Sequence, residues 1–169
     1  MRPPLVVVRA DDPDALAAAA RWADVVRIAA PGLDAAHATR ARVRAAVAAA
    51  GRDPDRVPVL LDVEVHLAGD LHQARKDLLQ LDAIAPCEPS SVRVLGRPSD
   101  VADLVGAAVR LGAADGITLV PLVLPADLRR IAGEAIPLLA GRGLFRTGRA
   151  GLWGAPAHRQ PSAPAPASA

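Results

Sequence analysis

Aromatic side chains are nearly missing from this sequence: two tryptophans, one phenylalanine and no tyrosine among 169 residues. This weakens any case for stacking of nucleobases on an aromatic platform. Lysine is reduced to Lys76, so arginine carries most of the positive charge, and 20 basic against 18 acidic residues leave a formal net charge of +2. With no basic block in the chain, no nucleic-acid partner is expected. Cysteine is reduced to Cys87, which rules out an internal disulfide and fits a reducing compartment. No apolar run is long enough to span a bilayer, and the one in the opening MRPPLVVVRA is too short for a signal peptide. The expectation is a cytoplasmic protein with no membrane partner.

What the chain has in quantity is alanine and branched aliphatics. Apolar residues make up 51%, which supports one domain with a core and argues against disorder. Leu5 to Val8 is a continuous apolar run, read as a strand buried on both faces. Asp12 followed by Pro13 predicts a helix start, with the helix running to about Trp22. Val25 to Ile28 reads as a second short buried strand. Asp34 to about Ala50 reads as an alanine-rich helix with Val43 and Val47 on its buried side. Val57 to Leu67 is the longest strand candidate. In it Val59, Leu61, Val63, Val65 and Leu67 alternate with Leu60, Asp62, Glu64 and His66, giving one apolar and one ionisable face.

A helix from Asp70 to about Ala83 follows, with Leu71, Leu78 and Leu81 available for packing, then a short strand at Val92 to Leu95. Ser99 is the expected N-cap of a helix from Asp100 to Leu111, which Gly112 ends. The closing stretch DGITLVPLVLPADLRRIAGEAIPLLAGRGLFRT reads as strand, proline-marked loop and helix. Within it Pro137 kinks the helix or starts a second one. Strands alternating with helices predict βα units and a parallel sheet of about four strands. Residues 151–169, rich in Pro, Ala and Ser, read as a disordered tail after a domain spanning 1–150.

That closing stretch, the connector AGRDPDRVPVLLDVEV and the run GRPSDVADLVGAAVRLGAADGITL stand in the order and spacing of known proteins. Together with LVVVRADDPDALAAAARWADVV they resemble the C-terminal half of bacterial luciferase-like monooxygenases, in the branch that includes nitrilotriacetate and desulfurisation monooxygenases. The resemblance implies an α/β fold: half of a TIM-type βα barrel, whose full form has eight strands. It also implies FMN as cofactor, with a deazaflavin possible, and a small organic substrate. A half-barrel would need self-association or a separate N-terminal half-barrel to complete a site. The other reading is a non-catalytic degenerate paralogue or assembly module that has lost flavin binding.

The resemblance also locates candidate sites. The turn after the first strand, where many relatives hold the flavin phosphate, is here Arg9, Ala10, Asp11 and Asp12. Ionised carboxylates accept hydrogen bonds, offer none and repel a phosphate. Arg9 either meets an anion or bridges to Asp11 or Asp12. On the long strand, Asp62 and Glu64 would face the barrel lumen, or else water or a partner chain. His66, nearest the catalytic end, is the candidate general acid or base. Three such residues two apart on one strand do not converge on one ion, so no metal site is expected. Arg40 and Arg44 read as a solvated pair, and Trp22 and Phe145 as packing anchors.

Overall fold

A computed structural model describes residues 4–145; the predicted tail lies outside them. Five strands form one parallel sheet: β1 (Val7–Arg9), β2 (Val25–Ile28), β3 (Val59–Leu67), β4 (Arg93–Gly96) and β5 (Gly116–Pro121). The helices are α1 (Pro13–Trp22), α2 (Leu33–Ala49), α3 (Leu71–Asp82), α4 (Pro98–Leu111), α5 (Ala126–Arg130) and α6 (Ile136–Gly141). The predicted α/β class and parallel sheet are therefore present. β3 is the hub. β5 pairs along one side of it from Leu60 to Val65. β2 and β4 share the other side, β2 at its start and β4 at its end. β1, β4 and β5 each keep one unpaired side, because β1 pairs with β2 alone and β4 and β5 each pair with β3 alone.

Alternation along β3 decides the layers. Its odd-numbered residues, Val59 to Leu67, lie in the apolar core with Val26, Ile28, Val43, Val47, Val101 and Ile131. Each such side chain contributes roughly 1.5–3 kcal/mol when fully buried. α1 packs on α2, α2 on α4 and α4 on α6 to form the covering helix layer. Arg52, from the polar connector, donates to the carbonyls of Ala20 and Ala23 at 3.1 and 2.7 Å and so closes the end of α1. Arg40 is not solvated as expected: it donates to Asp115 at 2.6 Å and thereby ties α2 to the start of β5. Arg44 likewise holds the carbonyl of Pro54 at 3.0 Å.

Several local expectations are corrected. Leu5, Val6 and Val7 are 45%, 43% and 50% exposed, because β1 is an edge and not a strand buried on both faces. Trp22 is 71% exposed and anchors nothing, and Phe145 is 41% exposed. The N-cap of α4 is Arg97 and not Ser99: the Arg97 N–H donates to the Asp100 carboxylate at 2.7 Å, and Pro98 takes the first turn. Pro137 acts through a π-helical turn, Ile131–Ala135. Lacking an N–H, it cannot bond the carbonyl four residues back, and the widened turn absorbs the break before α6 starts.

α3 departs most from expectation. Of its side chains only Ala74 is buried, and Leu71 and Leu81 are 44% and 39% exposed. It packs mainly on β4 and β3. Its Asp77 reaches His66, on the face of β3 opposite Val65 and Leu67. Its Leu78 and Leu79 share a cleft with Leu95, the register partner of His66. α3 therefore lies over the C-terminal end of the ionisable face.

Gly96 joins β4 to α4 at φ +136°, with the Asp100 carboxylate against the space a Cβ would fill. Gly96→Ala is expected to lower stability by about 2 kcal/mol, through backbone strain and loss of that cap. Gly133→Ala, in open space within the helical turn, should instead be neutral or stabilising by up to about 1 kcal/mol. Urea midpoints of the two variants check the contrast.

Candidate functional site

The C-terminal ends of the strands and the ionisable face of β3 define the candidate site. β-strand register places Arg9, Arg27 and Leu60 in one row on this face, followed along β3 by Asp62, Glu64 and His66. All three predicted residues are buried, at 4%, 6% and 4% exposure, so the face is not open to water. A buried charge is tolerated only when paired and hydrogen-bonded, and each has partners from other elements.

Asp62 accepts from Arg27 of β2 in a two-pronged pair at 2.8 and 2.9 Å, and Arg9 of β1 stands 3.8 Å away. Glu64 accepts from Arg93 of β4 at 2.7 Å, and from the Ser90 hydroxyl and backbone N–H at 2.7 and 2.9 Å. Burial alone would raise the Glu64 pKa. The Ser90 hydrogen bonds and the Arg93 guanidinium outweigh it, and the carboxyl is held below its ordinary value of 4.5. His66 stands between two carboxylates, with Nδ1 at 3.0 Å from Asp127 and Nε2 at 3.2 Å from Asp77. Ionised carboxylates only accept, so a ring protonated on both nitrogens satisfies both contacts. Asp127 is fully buried and also accepts from the N–H groups of Leu67 and Val123, both at 2.8 Å. It stitches the end of β3 to the β5–α5 loop. Asp77, on the side of α3 that faces β3, is held below its ordinary value of 3.8, first by the hydrogen bond from His66 and then by that from Gln73.

The turn after β1 is separate from this row except through Arg9. Arg9 bridges to Asp11 at 3.1 Å. Asp12 caps α1 by accepting from the Ala15 N–H at 2.7 Å, and the Ala10 N–H donates to the carbonyl of Arg27 at 2.9 Å. The Ala10 and Ala15 N–H groups and the Arg9 guanidinium are therefore already engaged, and the turn carries two carboxylates that would repel a phosphate. This turn does not fit a phosphate. Among the described residues no group of His, Cys, Asp or Glu is placed to hold a metal ion, and no helix is long and apolar enough to cross a membrane.

Sequence reasoning missed Arg27, Asp77, Ser90, Arg93 and Asp127. Arg27 carried a signal, a lone charge inside the apolar run VVRI. Asp77 and Asp127 carried none, being 11 and 61 residues from His66 on helix surfaces.

A family model described as luciferase-like monooxygenase matches residues 1–94, more than half of the chain. No curated protein sequence is found to match. Among solved structures, the fold is similar to the EDTA monooxygenase from Chelativorans sp. BNC1, with TM-score 0.69, 20% identity, and 85% of this chain and 46% of that one covered. It is similar to a riboflavin lyase solved with modified FMN and riboflavin, with TM-score 0.74, 14% identity, and 86% and 44% covered. It is also similar to the coenzyme F420 dependent tetrahydromethanopterin reductase from Methanopyrus kandleri, with TM-score 0.57, 14% identity, and 79% and 50% covered. At these identities the likeness is one of fold, and the chain spans about half the length of these structures.

The Glu64 contacts generate a pH prediction. A carboxyl whose folded pKa is lowered adds stability that is fully present above its unfolded value and is lost as pH falls through the folded one. Glu64→Gln should therefore cost about 2 kcal/mol at pH 7, and the gap to the parent protein should narrow as pH drops below 4.5. Urea unfolding at pH 7 and at about pH 3.5 measures it; a gap that does not change with pH would refute the assignment.

Proposed function

The chain belongs to the luciferase-like monooxygenase family, and from that premise we propose that it is the C-terminal half of a flavin-dependent monooxygenase barrel that acts once its sheet is completed. The observation that carries this is that β1 and β5, like the short β4, keep unpaired parallel edges beside an ionisable face in a chain that spans about half of its structural neighbours. Either a second copy or a separate N-terminal half-barrel would supply strands to those edges. The two copies of a symmetric pair would meet β5 to β1, which keeps the sheet parallel throughout.

In this reading a small organic substrate enters beside β3, with Asp62 and Glu64 lining the lumen and His66 exchanging a proton at Nε2. FMN is the proposed cofactor, in line with the riboflavin lyase solved with modified FMN. A deazaflavin is the alternative, in line with the coenzyme F420 dependent reductase. When bound, the flavin supplies the oxygen chemistry. The Arg9, Ala10, Asp11 and Asp12 turn would flank it, while the partner half would hold the phosphate. The cytoplasm suits the exposed thiol of Cys87.

A second reading is favoured by one specific observation. The α1 N-terminus is capped by its own Asp12, and Arg9 is engaged by Asp11. A module that had lost flavin binding and kept the fold for assembly would look the same. Titration with FMN, followed by flavin fluorescence beside sizing chromatography, separates the two. The proposal expects saturable micromolar binding by a dimer or by a complex with the other half. Absence of binding up to millimolar FMN, by folded protein in either state, would leave the assembly module.

A further inference from the structure

His66 cannot exchange a proton with anything while Asp77 covers its Nε2, and the details of that contact make it look replaceable. On one side the ring is fixed: Asp127 is fully buried and held by two backbone N–H groups, so it aims Nε2 toward α3. On the other side the contact is loose. The Asp77 side chain is 33% exposed, and its second oxygen is held at 2.6 Å only by Gln73, one turn earlier on the same helix. Only one partner of this contact is buried, since the His66 side chain is 5% exposed, and the solvent that reaches Asp77 makes the contact weaker than the fully buried one to Asp127. α3 itself buries only Ala74 and leaves Leu79 71% exposed.

Beneath α3 runs a cleft of about 540 Å³, lined by Leu71, Arg75, Arg93, Leu95 and Leu104 among others. Arg93 is engaged by Glu64. Asp100 and Asp103 also line the cleft, but Asp100 accepts from the Arg97 N–H and Asp103 pairs with Arg142, whereas Arg75 makes no ion pair or side-chain hydrogen bond among the described residues.

We propose that Asp77 is an internal stand-in for a carboxylate-bearing ligand on His66, and that α3 is the displaceable cover that carries it. The ligand's carboxylate takes the place of Asp77 on Nε2, its apolar part lies along Leu71, Leu95 and Leu104, and Arg75 receives a second anionic group where one is present. The inference rests on the reading of this face as the substrate side, and it names the substrate class.

The test uses the full chain labelled with ¹⁵N, as parent and as Asp77→Asn, titrated with sodium acetate and with sodium chloride at equal ionic strength. The amides of Leu67 and Val123, which bond Asp127, report the site. In Asp77→Asn acetate should shift them saturably and chloride should not. The parent should need roughly tenfold more acetate, because its own carboxylate competes. Amides of residues 71–82 should also exchange roughly tenfold faster in the variant, with β3 still protected. Equal responses to acetate and chloride, or equal titrations of parent and variant, would overturn the proposal. So would loss of a dispersed spectrum in Asp77→Asn, which would make Asp77 a fixed structural element. Acetate needs neither flavin nor a partner half, so this outcome is independent of the FMN titration.

Discussion

The structure depends on the ionic row along β3. Asp62, Glu64 and His66 bring three ionisable groups into a buried face of a small sheet, and each is hydrogen-bonded to groups from other elements: Arg27 of β2, Arg93 of β4, and Asp77 of α3 with Asp127 of α5. Leaving any one of them unpaired would cost several kcal/mol. The same contacts that permit the charges therefore fix where the neighbouring strands and helices sit. β4 is the clearest case, a four-residue strand with one paired edge that Arg93 and Ser90 lock onto Glu64.

This arrangement bears directly on function. In an open half-barrel, polar groups on the concave side are expected to wait for a partner or a ligand. Here most of that demand is met within the chain, at the turn after β1 by Asp11 and Asp12 and at the end of β3 by α3. Among the described residues, what stays open includes the hydrogen-bonding edges of β1, β4 and β5 and the side chain of Arg75. On the proposed reading of this face as the substrate side, α3 has to move before the site works, and the step lies in the segment after β3 and not in the sheet.

Much of the fold was readable from periodicity. The alternation in VPVLLDVEVHL gave both faces of β3, and proline and glycine positions placed most helix ends to within two residues. The site was only half readable. Asp62, Glu64 and His66 announced themselves by facing one way on an apolar strand, but their partners lie 11 to 61 residues away, and pairing at such distances leaves no local pattern. The errors have the same origin. Leu5 to Val8 reads as a buried strand because its residues suit one, yet its exposure is set by whether another strand lies beside it. The leucines of α3 suggest ordinary packing on the helix layer, yet the helix packs on β4 and β3 with Asp77 against His66 on the other face.

The measurement that bears most directly on the ionic row is a double-mutant cycle on the pair at its centre, Arg27→Met and Asp62→Leu, singly and together, followed by urea unfolding. The pair is two-pronged and its carboxylate is 6% exposed. The predicted coupling is about 2 kcal/mol or more, with each single variant worse than the double. A coupling below about 0.5 kcal/mol, the size of an exposed surface pair, would mean that the ionic row decorates the sheet without holding it.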